Sequence, residues 1–435
     1  MLTILRKILP EHSFLRRWYS AINGVLAAAW YGFPARSLLC IGVTGTDGKT
    51  TTTEMIAHLL RASGKKVLSV STVATVLGAR HMPTDKRTTP SPWILQRLLQ
   101  KAKKEGIQYA VLEVSSHALV QKRIFGIPFS AAVLTNITPE HLDYHGTFQQ
   151  YTAAKKLLFT KYLKEKGAMI INADDKTGKK WMKECENKEN SLLLYSSSPQ
   201  KNALFSEDIH FLSAGMETVL VAENGTTTPF FLPLFGAFNI QNAMAAIQTA
   251  RFFGISLQKA AEFFSSFSGV KGRMQPVSVG QDFLAIIDFA YAAESLKNAL
   301  FSARKMSPSG KVIVVFGSPG SHPDIAVRKK MGEVAAAYAD VVVVTDDEPY
   351  TENPADIRAH ILAGARGVTV DVQQKTAEIH EIPNREQAME FACRNAKKGD
   401  VVLVAGMGHL SSRNIGGKEI SWNDAEVLRK ILLSL

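Results

Sequence analysis

Residues 39–43 form an apolar, β-branched run, residues 50–62 have helix-forming character, and Thr44-Gly45-Thr46-Asp47-Gly48-Lys49 joins the two. A strand that passes directly into a helix belongs to a parallel sheet, because parallel neighbours need a crossover connection. The same alternation recurs. Further strands are expected at 66–70, 109–114, 131–135 and 169–172, with helices between them that include 50–62 and 151–164. The fold class is therefore α/β. Residues 186–232 break the rhythm with short polar, turn-rich segments that suit an antiparallel flap or a β-rich insertion. Helices are expected again at 239–253 and 257–266, and the segment 269–276 then interrupts the pattern and marks a boundary. Beyond it, strands at 283–288, 311–316, 341–345 and 401–405, with helices such as 328–338 and 385–396, make a second doubly wound domain. Continuously apolar cores such as 312–315 and 341–344 fit strands covered on both faces.

Composition excludes several classes. With 435 residues and 46% hydrophobic content the chain is too long and too apolar to be disordered. Its 51 basic against 39 acidic residues leave +12, which attracts nucleotides, phosphorylated metabolites or anionic headgroups without choosing among them. The basic residues are spread along the chain without a nucleic-acid motif, so nucleic acid is not an expected partner. Three widely spaced cysteines, Cys40, Cys185 and Cys393, argue against a disulfide framework or zinc ribbon and favour the cytoplasm. No apolar run is long enough to span a bilayer. Residues 1–36 are a basic amphipathic arm with five basic residues, Arg6, Lys7, Arg16, Arg17 and Arg36, against Glu11. Such an arm either packs on the domain that follows or lies on an anionic membrane surface.

The chemistry concentrates at strand ends. In the loop Val43-Thr44-Gly45-Thr46-Asp47-Gly48-Lys49-Thr50-Thr51, glycines let backbone amides close on phosphate oxygens. Lys49 can reach the outer phosphates and Thr50 can ligate magnesium. The spacing departs from the usual phosphate loop, since Val43 stands where its first glycine would be. Glu113, Ser115, Ser116 and His117 follow one strand, and Asn136, Glu140, His141, Asp143 and His145 follow another. In a parallel sheet these ends converge on a ligand crevice, where carboxylates and imidazoles can hold the magnesium that accompanies ATP.

Taken together, the phosphate loop, Glu113-Val114-Ser115-Ser116-His117, Thr135-Asn136-Ile137-Thr138-Pro139-Glu140-His141-Leu142-Asp143-Tyr144-His145-Gly146, and Tyr151 with Ala154-Lys155 closely resemble the Mur ligase family. Within the family the likeness is to the UDP-N-acetylmuramoyl-tripeptide synthetase type. Phe238-Asn239, Asn242, Gly272-Arg273-Met274, Asp288, Asn384-Arg385 and Gly406-Met407-Gly408-His409 extend it to the C-terminal part. The resemblance implies a central P-loop-type ATPase domain, 37–273, and a C-terminal Rossmann-like α/β domain, 274–435, after the arm. It implies ATP-dependent amide formation through an acyl phosphate, with a diamino acid joined to UDP-N-acetylmuramoyl-L-alanyl-D-glutamate or a related acceptor. A ligase acting on folate, a poly-amino acid or a lipid-linked carboxylate, or a catalytically altered nucleotide-binding scaffold, are the alternatives.

The resemblance also implies roles. Lys49, Glu113, His141 and Lys155 would be catalytic, with ATP held by Gly45, Thr46, Asp47, Gly48, Lys49, Thr50, Thr51, Asn242, Arg273 and Asp288. Magnesium would be held by Thr50, Glu113, His141 and Lys155, the last carbamylated so that an amine becomes an oxygen ligand. Thr88, Thr89, Ser115, Gln121 and Arg123 would grip the acceptor, and Asp347, Glu348, Tyr350 and Gly406 the amino acid. Closure of the C-terminal domain would complete the site and exclude water from the acyl phosphate. A monomer is expected.

Four departures from the family accompany it. Residues 1–38 are too few for the family's N-terminal domain, which holds the uridine diphosphate. The aromatic-Ala-His-Thr-Pro-Asp stretch becomes Phe289-Ala290-Tyr291-Ala292-Ala293-Glu294, and the final Glu of Gly-Lys-Gly-His-Glu becomes Leu410. The diaminopimelate-recognising Asp-Asn-Pro-Arg becomes Asp347-Glu348-Pro349-Tyr350. With the arginine gone, Asp346, Asp347, Glu348 and Glu352 suit a cationic amine end, which favours lysine or a similar diamino acid over diaminopimelate.

Overall fold

The computed structural model describes residues 14–83, 85, 87–185, 189–212, 214–320, 325–367 and 376–435. The chain divides into two compact units. The first comprises residues up to 210 with 217–233 and 238–267, and the second comprises 268–435 with 211–216 and 234–237. Residues 1–13 of the basic arm lie outside the described residues. Among the described residues no helix is long and apolar enough to cross a membrane.

The first unit is organised by an eleven-stranded sheet. In chain order its strands are β1 (Leu39–Thr44), β2 (Val67–Val70), β3 (Thr75–Leu77), β4 (Arg80–Met82), β5 (Tyr109–Glu113), β6 (Phe129–Leu134), β7 (Leu163–Asn172), β8 (Ser191–Ser196), β9 (Ala203–Leu212), β10 (Gly215–Val221) and β11 (Thr227–Leu232). They are ordered β11-β10-β9-β8-β7-β6-β1-β5-β2-β3-β4. The strand β1 runs parallel to both β5 and β6, so the chain crosses to opposite sides of β1 and leaves a crevice beyond its C-terminal end. β5 and β6 are buried throughout, as strands covered on both faces must be. Leu68, Leu112, Leu134 and Met169 belong to the core on one face.

One expectation changes here and another takes a definite form. The helix expected over 151–164 is an α-helix, Phe148–Leu157, followed by a π-helical turn, Leu158–Tyr162, and Lys164 already lies in β7. Leu158, Phe159 and Tyr162 are buried, so the apolar side chains that extended the helical pattern belong instead to the turn into the strand. Residues 186–232 are β-rich, but β8 pairs in parallel with β7 and β9 in parallel with β8. This part of the chain is the β-rich insertion expected: it widens the central sheet, and its last two strands, β10 and β11, are joined by a tight turn closed by Ala222 N–H to Thr226 O at 2.9 Å, a connection that only antiparallel neighbours can use.

In the second unit, β12 (Gln275–Pro276), β13 (Leu284–Asp288), β14 (Val312–Phe316), β15 (Val341–Val344), β16 (Glu378–Glu381) and β17 (Val401–Ala405) form a sheet ordered β12-β13-β17-β14-β15-β16. All pairings except β12–β13 are parallel. Ile287, Val315, Val343 and Val404 share one core with Met389 and Leu428 of the covering helices. A buried, bidentate pair, Arg385 Nε and Nη2 to Asp424 at 2.9 and 2.7 Å, fastens the helices Arg385–Asn395 and Asp424–Leu433 together. A separate hairpin, β18 (Ser412–Ile415) with β19 (Lys418–Ser421), follows. Cys40 and Cys393 are free and buried, and burial pushes both thiols up to about 12.

Candidate active site

Register brings the first group together. Val43 is level with Glu113 and Thr44 with Leu134, so the glycine loop, Glu113 and the segment after β6 leave the sheet at one edge. Gly45 has φ 150° and Gly48 has φ 78°, and a Cβ would lie 1.8 Å from Thr135 Oγ1 at Gly45 and 2.3 Å from Asn242 Oδ1 at Gly48. Only glycine fits either position. The loop is tied to the segment after β6 by Thr46 N–H to Asn136 O at 2.8 Å, Asp47 N–H to Asn136 Oδ1 at 2.9 Å and Thr135 Oγ1 to Asp47 O at 2.6 Å. Lys49 donates to Thr46 O at 2.5 Å, and Thr51 is buried in the first turn of the Lys49–Ala62 helix.

Thr50 Oγ1 donates to Glu113 Oε1 at 3.0 Å, while Glu113 Oε2 accepts from Thr72 N–H at 2.7 Å and Thr72 Oγ1 at 2.9 Å. Sequence reasoning did not single out Thr72; its signal was its place just past the end of β2. Lys155 is buried, donates to Gly45 O and lies 4.5 Å from the Tyr151 ring centre. Burial and then Lys49 hold its amine well below the usual lysine range, partly offset by Glu140, Asp47 and Glu113. His141 caps the Leu142–His145 turn in the left-handed region, φ 54°, 3.7 Å from Glu140 and with its ring 4.8 Å from His117. Burial, His141 and Arg123 push His117 down to about 3, and burial with His117 pushes His145 down to about 4, so both rings are neutral at physiological pH. Among the described residues no three His, Cys, Asp or Glu side chains gather as a metal-binding group.

The expected acceptor residues form a second network at the same edge. Thr89 Oγ1 donates to Glu113 O at 2.9 Å and accepts from Ser115 N–H at 3.0 Å. Arg123 donates to Thr89 O at 2.9 Å and, through Nε and Nη2, to Gln121 Oε1 at 2.9 and 2.7 Å. Gln121 in turn donates to the Tyr144 hydroxyl at 3.1 Å, a partner that the sequence had not assigned. Thr88 is half-buried beside Thr89. Asn242 accepts from Thr52 Oγ1 at 3.3 Å and donates to Asn239 Oδ1 at 3.0 Å.

Arg273 and Asp288 belong to the second unit. Asp288 ends β13 and accepts from Met274 N–H at 2.7 Å, while the Arg273 guanidinium stacks 4.7 Å from the Phe289 ring centre. The His409 ring lies 4.8 Å from the same phenylalanine, and burial with Arg273 pushes it down to about 4. Gly406 follows β17, with φ 110°, and a Cβ there would meet Asp347 Oδ2 at 2.2 Å. Burial pushes Asp347 up to about 6 despite Arg385 and Arg413, and its Oδ2 has no hydrogen-bond partner among the described residues. Glu348 accepts from Asn414 N–H at 3.1 Å and from the Tyr350 hydroxyl, and burial raises its carboxyl above the usual range.

The acidic cluster expected at the amino-acid end is smaller than it reads in sequence. Asp346 is paired with Arg358, and Glu352 with Arg328 at 2.5 and 2.8 Å. The two arginines come from the helices that precede and follow this segment, Ile325–Tyr338 and Pro354–Arg366, and neutralise half of the apparent surplus. Asp347 and Glu348 remain. Arg413, which sequence reasoning passed over, donates to Asp346 O and Asp347 O at 2.9 and 2.8 Å and so orients this turn.

Residues 43–250 match the Mur ligase middle domain and residues 272–408 the Mur ligase glutamate ligase domain. A Synechocystis protein named UDP-N-acetylmuramoyl-L-alanyl-D-glutamate–2,6-diaminopimelate ligase is 38% identical over 411 residues, 94% of this chain and 78% of that protein. Its namesake from Geobacillus thermodenitrificans is 37% identical over 410 residues, 93% and 81% of the two chains. A solved structure of a ligase of that name superposes with a TM-score of 0.66 at 31% identity, covering 91% of this chain and 78% of that one. A MurF ligase from Thermotoga maritima in complex with ADP, 18% identical, shares the fold with a TM-score of 0.66 over 94% and 83% of the two chains. With matches to two domains of one family and relatives this similar over nearly its whole length, the chain belongs to the Mur ligase family.

Proposed function

We propose that the protein is an ATP-dependent ligase that forms an amide bond, adding a diamino acid to UDP-N-acetylmuramoyl-L-alanyl-D-glutamate or a closely related acceptor. The observation that carries this reading is the meeting of Lys49, the Thr50–Glu113 contact and the buried Lys155 around one glycine loop. The relatives' names supply the acceptor and the class of amino acid. In the reaction an acceptor carboxylate oxygen attacks the γ-phosphorus of ATP and ADP leaves. The amine then attacks the acyl carbon and inorganic phosphate leaves. Such chemistry needs alignment and charge neutralisation more than covalent help.

Gly45, Thr46, Asp47, Gly48 and Thr51 supply the loop around the phosphates, Lys49 their neutralising charge, and Asn242, Arg273 and Asp288 contacts to the nucleotide. Thr50 and Glu113 offer hard oxygen donors beside that loop, which fits magnesium, and His141 with a carbamylated Lys155 fits a second ion. Bound there, magnesium would neutralise charge building on the transferring phosphate. Carbamylation is supported by the depressed basicity of Lys155. A neutral amine attacks carbon dioxide, loses a proton and becomes an anionic oxygen donor. Thr88, Thr89, Ser115, Gln121 and Arg123 would hold the acceptor. Asp347, Glu348, Tyr350 and Gly406 would face the amino acid, with Asp347 and Glu348 as the acidic groups that meet its amine. The enzyme acts as a cytoplasmic monomer that touches the membrane surface through residues 1–36.

The test is phosphate release by purified protein with Mg-ATP, bicarbonate, the acceptor and a panel including lysine and diaminopimelate. Release should require acceptor and amino acid together and should disappear in Lys49→Ala. Failure to bind nucleotide sinks the reading, and nucleotide binding without acceptor-dependent release favours a catalytically altered scaffold.

A further inference from the structure

We propose that the outer faces of two neighbouring helices, Phe14–Trp30 and Pro92–Lys104, together form a docking surface for an anionic phospholipid bilayer. The proposal rests on the peripheral membrane contact above and names its surface, half of which lies outside the arm. The first helix is amphipathic in the reverse of the usual sense. Its small residues face inward: Ala27 and Ala28 are fully buried, and a Cβ at Gly24 would lie 2.5 Å from Lys122 O. Three large apolar residues of its C-terminal half face out: Val25, Leu26 and Trp30 are exposed by 42%, 53% and 77%. A surface helix of a soluble protein normally turns such residues to the core.

Trp93, at the start of the second helix and 38% exposed, joins the two. Its indole N–H lies 3.3 Å from Asn23 Oδ1, and its ring meets Tyr31 edge-on at 6.3 Å. Trp93 therefore meets Tyr31, which follows the exposed Trp30 in the chain. Charge identifies what covers this surface. The two helices contain six basic residues, Arg16, Arg17, Arg97, Lys101, Lys103 and Lys104, and no acidic ones. Arg97, Lys103 and Lys104 are exposed, and Glu105, the first acid beyond the second helix, is already paired with Arg80.

Aliphatic and indole side chains bordered by positive charge are the chemistry of an interfacial helix on anionic headgroups. A second copy is the poorer occupant. An isologous contact would bring the same basic patch against itself. No helix among the described residues is long and apolar enough to cross a bilayer, so the contact is with its surface.

Cosedimentation of the full-length protein with vesicles of phosphatidylcholine, with and without phosphatidylglycerol, tests the proposal. The protein should pellet with the anionic vesicles, remain in solution with the neutral ones, and be released by salt. Two double variants, Leu26→Asp with Trp30→Asp and Arg97→Glu with Lys104→Glu, should each lose about tenfold or more of the binding. Both should keep the wild-type melting temperature and, without vesicles, its rate of phosphate release, so loss of docking is read separately from loss of the ligase reaction. Protein that stays in solution with anionic vesicles, or variants that bind as wild type does, overturns the proposal. So does equal binding to neutral vesicles, or a dimer that the first double variant dissolves in protein showing no vesicle binding.

Discussion

In the first unit the candidate site residues satisfy one another: Thr50 and Thr72 occupy both oxygens of Glu113, Thr89 bridges Glu113 and Ser115, and Gln121 takes up two nitrogens of Arg123. In the second unit Arg273 Nε, Asp347 Oδ2 and His409 Nδ1 are buried with no partner among the described residues. An unsatisfied buried polar atom costs about 1–3 kcal/mol, so the second arrangement survives only where water or a ligand completes it or the fold absorbs the cost. One set of residues is preorganised around charge transfer. The other leaves buried polar atoms unpaired, which under the proposed function would be available to the amino acid.

Breaking the preorganised side should have the largest effect. Lys49→Ala should lower phosphate release by about three orders of magnitude, as loss of a group that stabilises transferring phosphate does, while circular dichroism stays unchanged. An equally large perturbation in the second unit should strike stability instead. Asp424→Ala leaves Arg385 charged and fully buried without its partner, and should cost about 3–5 kcal/mol, read as an early denaturant transition of that unit.

Acid sharpens the contrast within the second unit. Asp347, raised to about 6, keeps its proton in the folded chain at pH values where an unfolded carboxyl, near 4, has lost it. Stability from this group therefore rises as pH falls from about 6 toward 4. His409, lowered to about 4, does the opposite: the unfolded imidazole takes up its proton first, and stability falls as pH drops below about 6.5. The two slopes oppose each other. Asp347→Asn should make acidification from pH 6.5 to 4.5 more destabilising than it is in the wild type, by roughly 2 kcal/mol. His409→Asn should have the opposite effect, and denaturant midpoints at the two pH values distinguish the cases. The smallest effect is expected at the acceptor network. Arg123→Lys removes the bidentate grip on Gln121 and should raise the acceptor KM about tenfold with kcat nearly unchanged.

Residues that act through their immediate neighbours in sequence were legible without coordinates. Gly45, Gly48, Lys49 and Thr50 work as one turn between a strand and a helix, and Glu113 and His141 follow strand ends whose convergence is a property of parallel sheets. Partners supplied from elsewhere in the chain were not. Thr72 approaches Glu113 from beyond β2, and Tyr144 reaches Gln121 across the site. Residues 186–232 were legible in part: the polar turn after β10 does close a hairpin, but the direction of β8 is set by the neighbour it pairs with, and it runs parallel to β7.

The amino-acid sequence by itself determined the α/β alternation, the phosphate loop and the order in which acids and imidazoles arrive at strand ends, because each depends on residues a few positions apart. Only the tertiary structure decided which charges are spent. Arg328 and Arg358 cancel Glu352 and Asp346, Lys155 is buried against Gly45, and Val25, Leu26 and Trp30 face outward. Charge and solvation depend on the distances among all parts of a folded unit, and no local pattern records those distances.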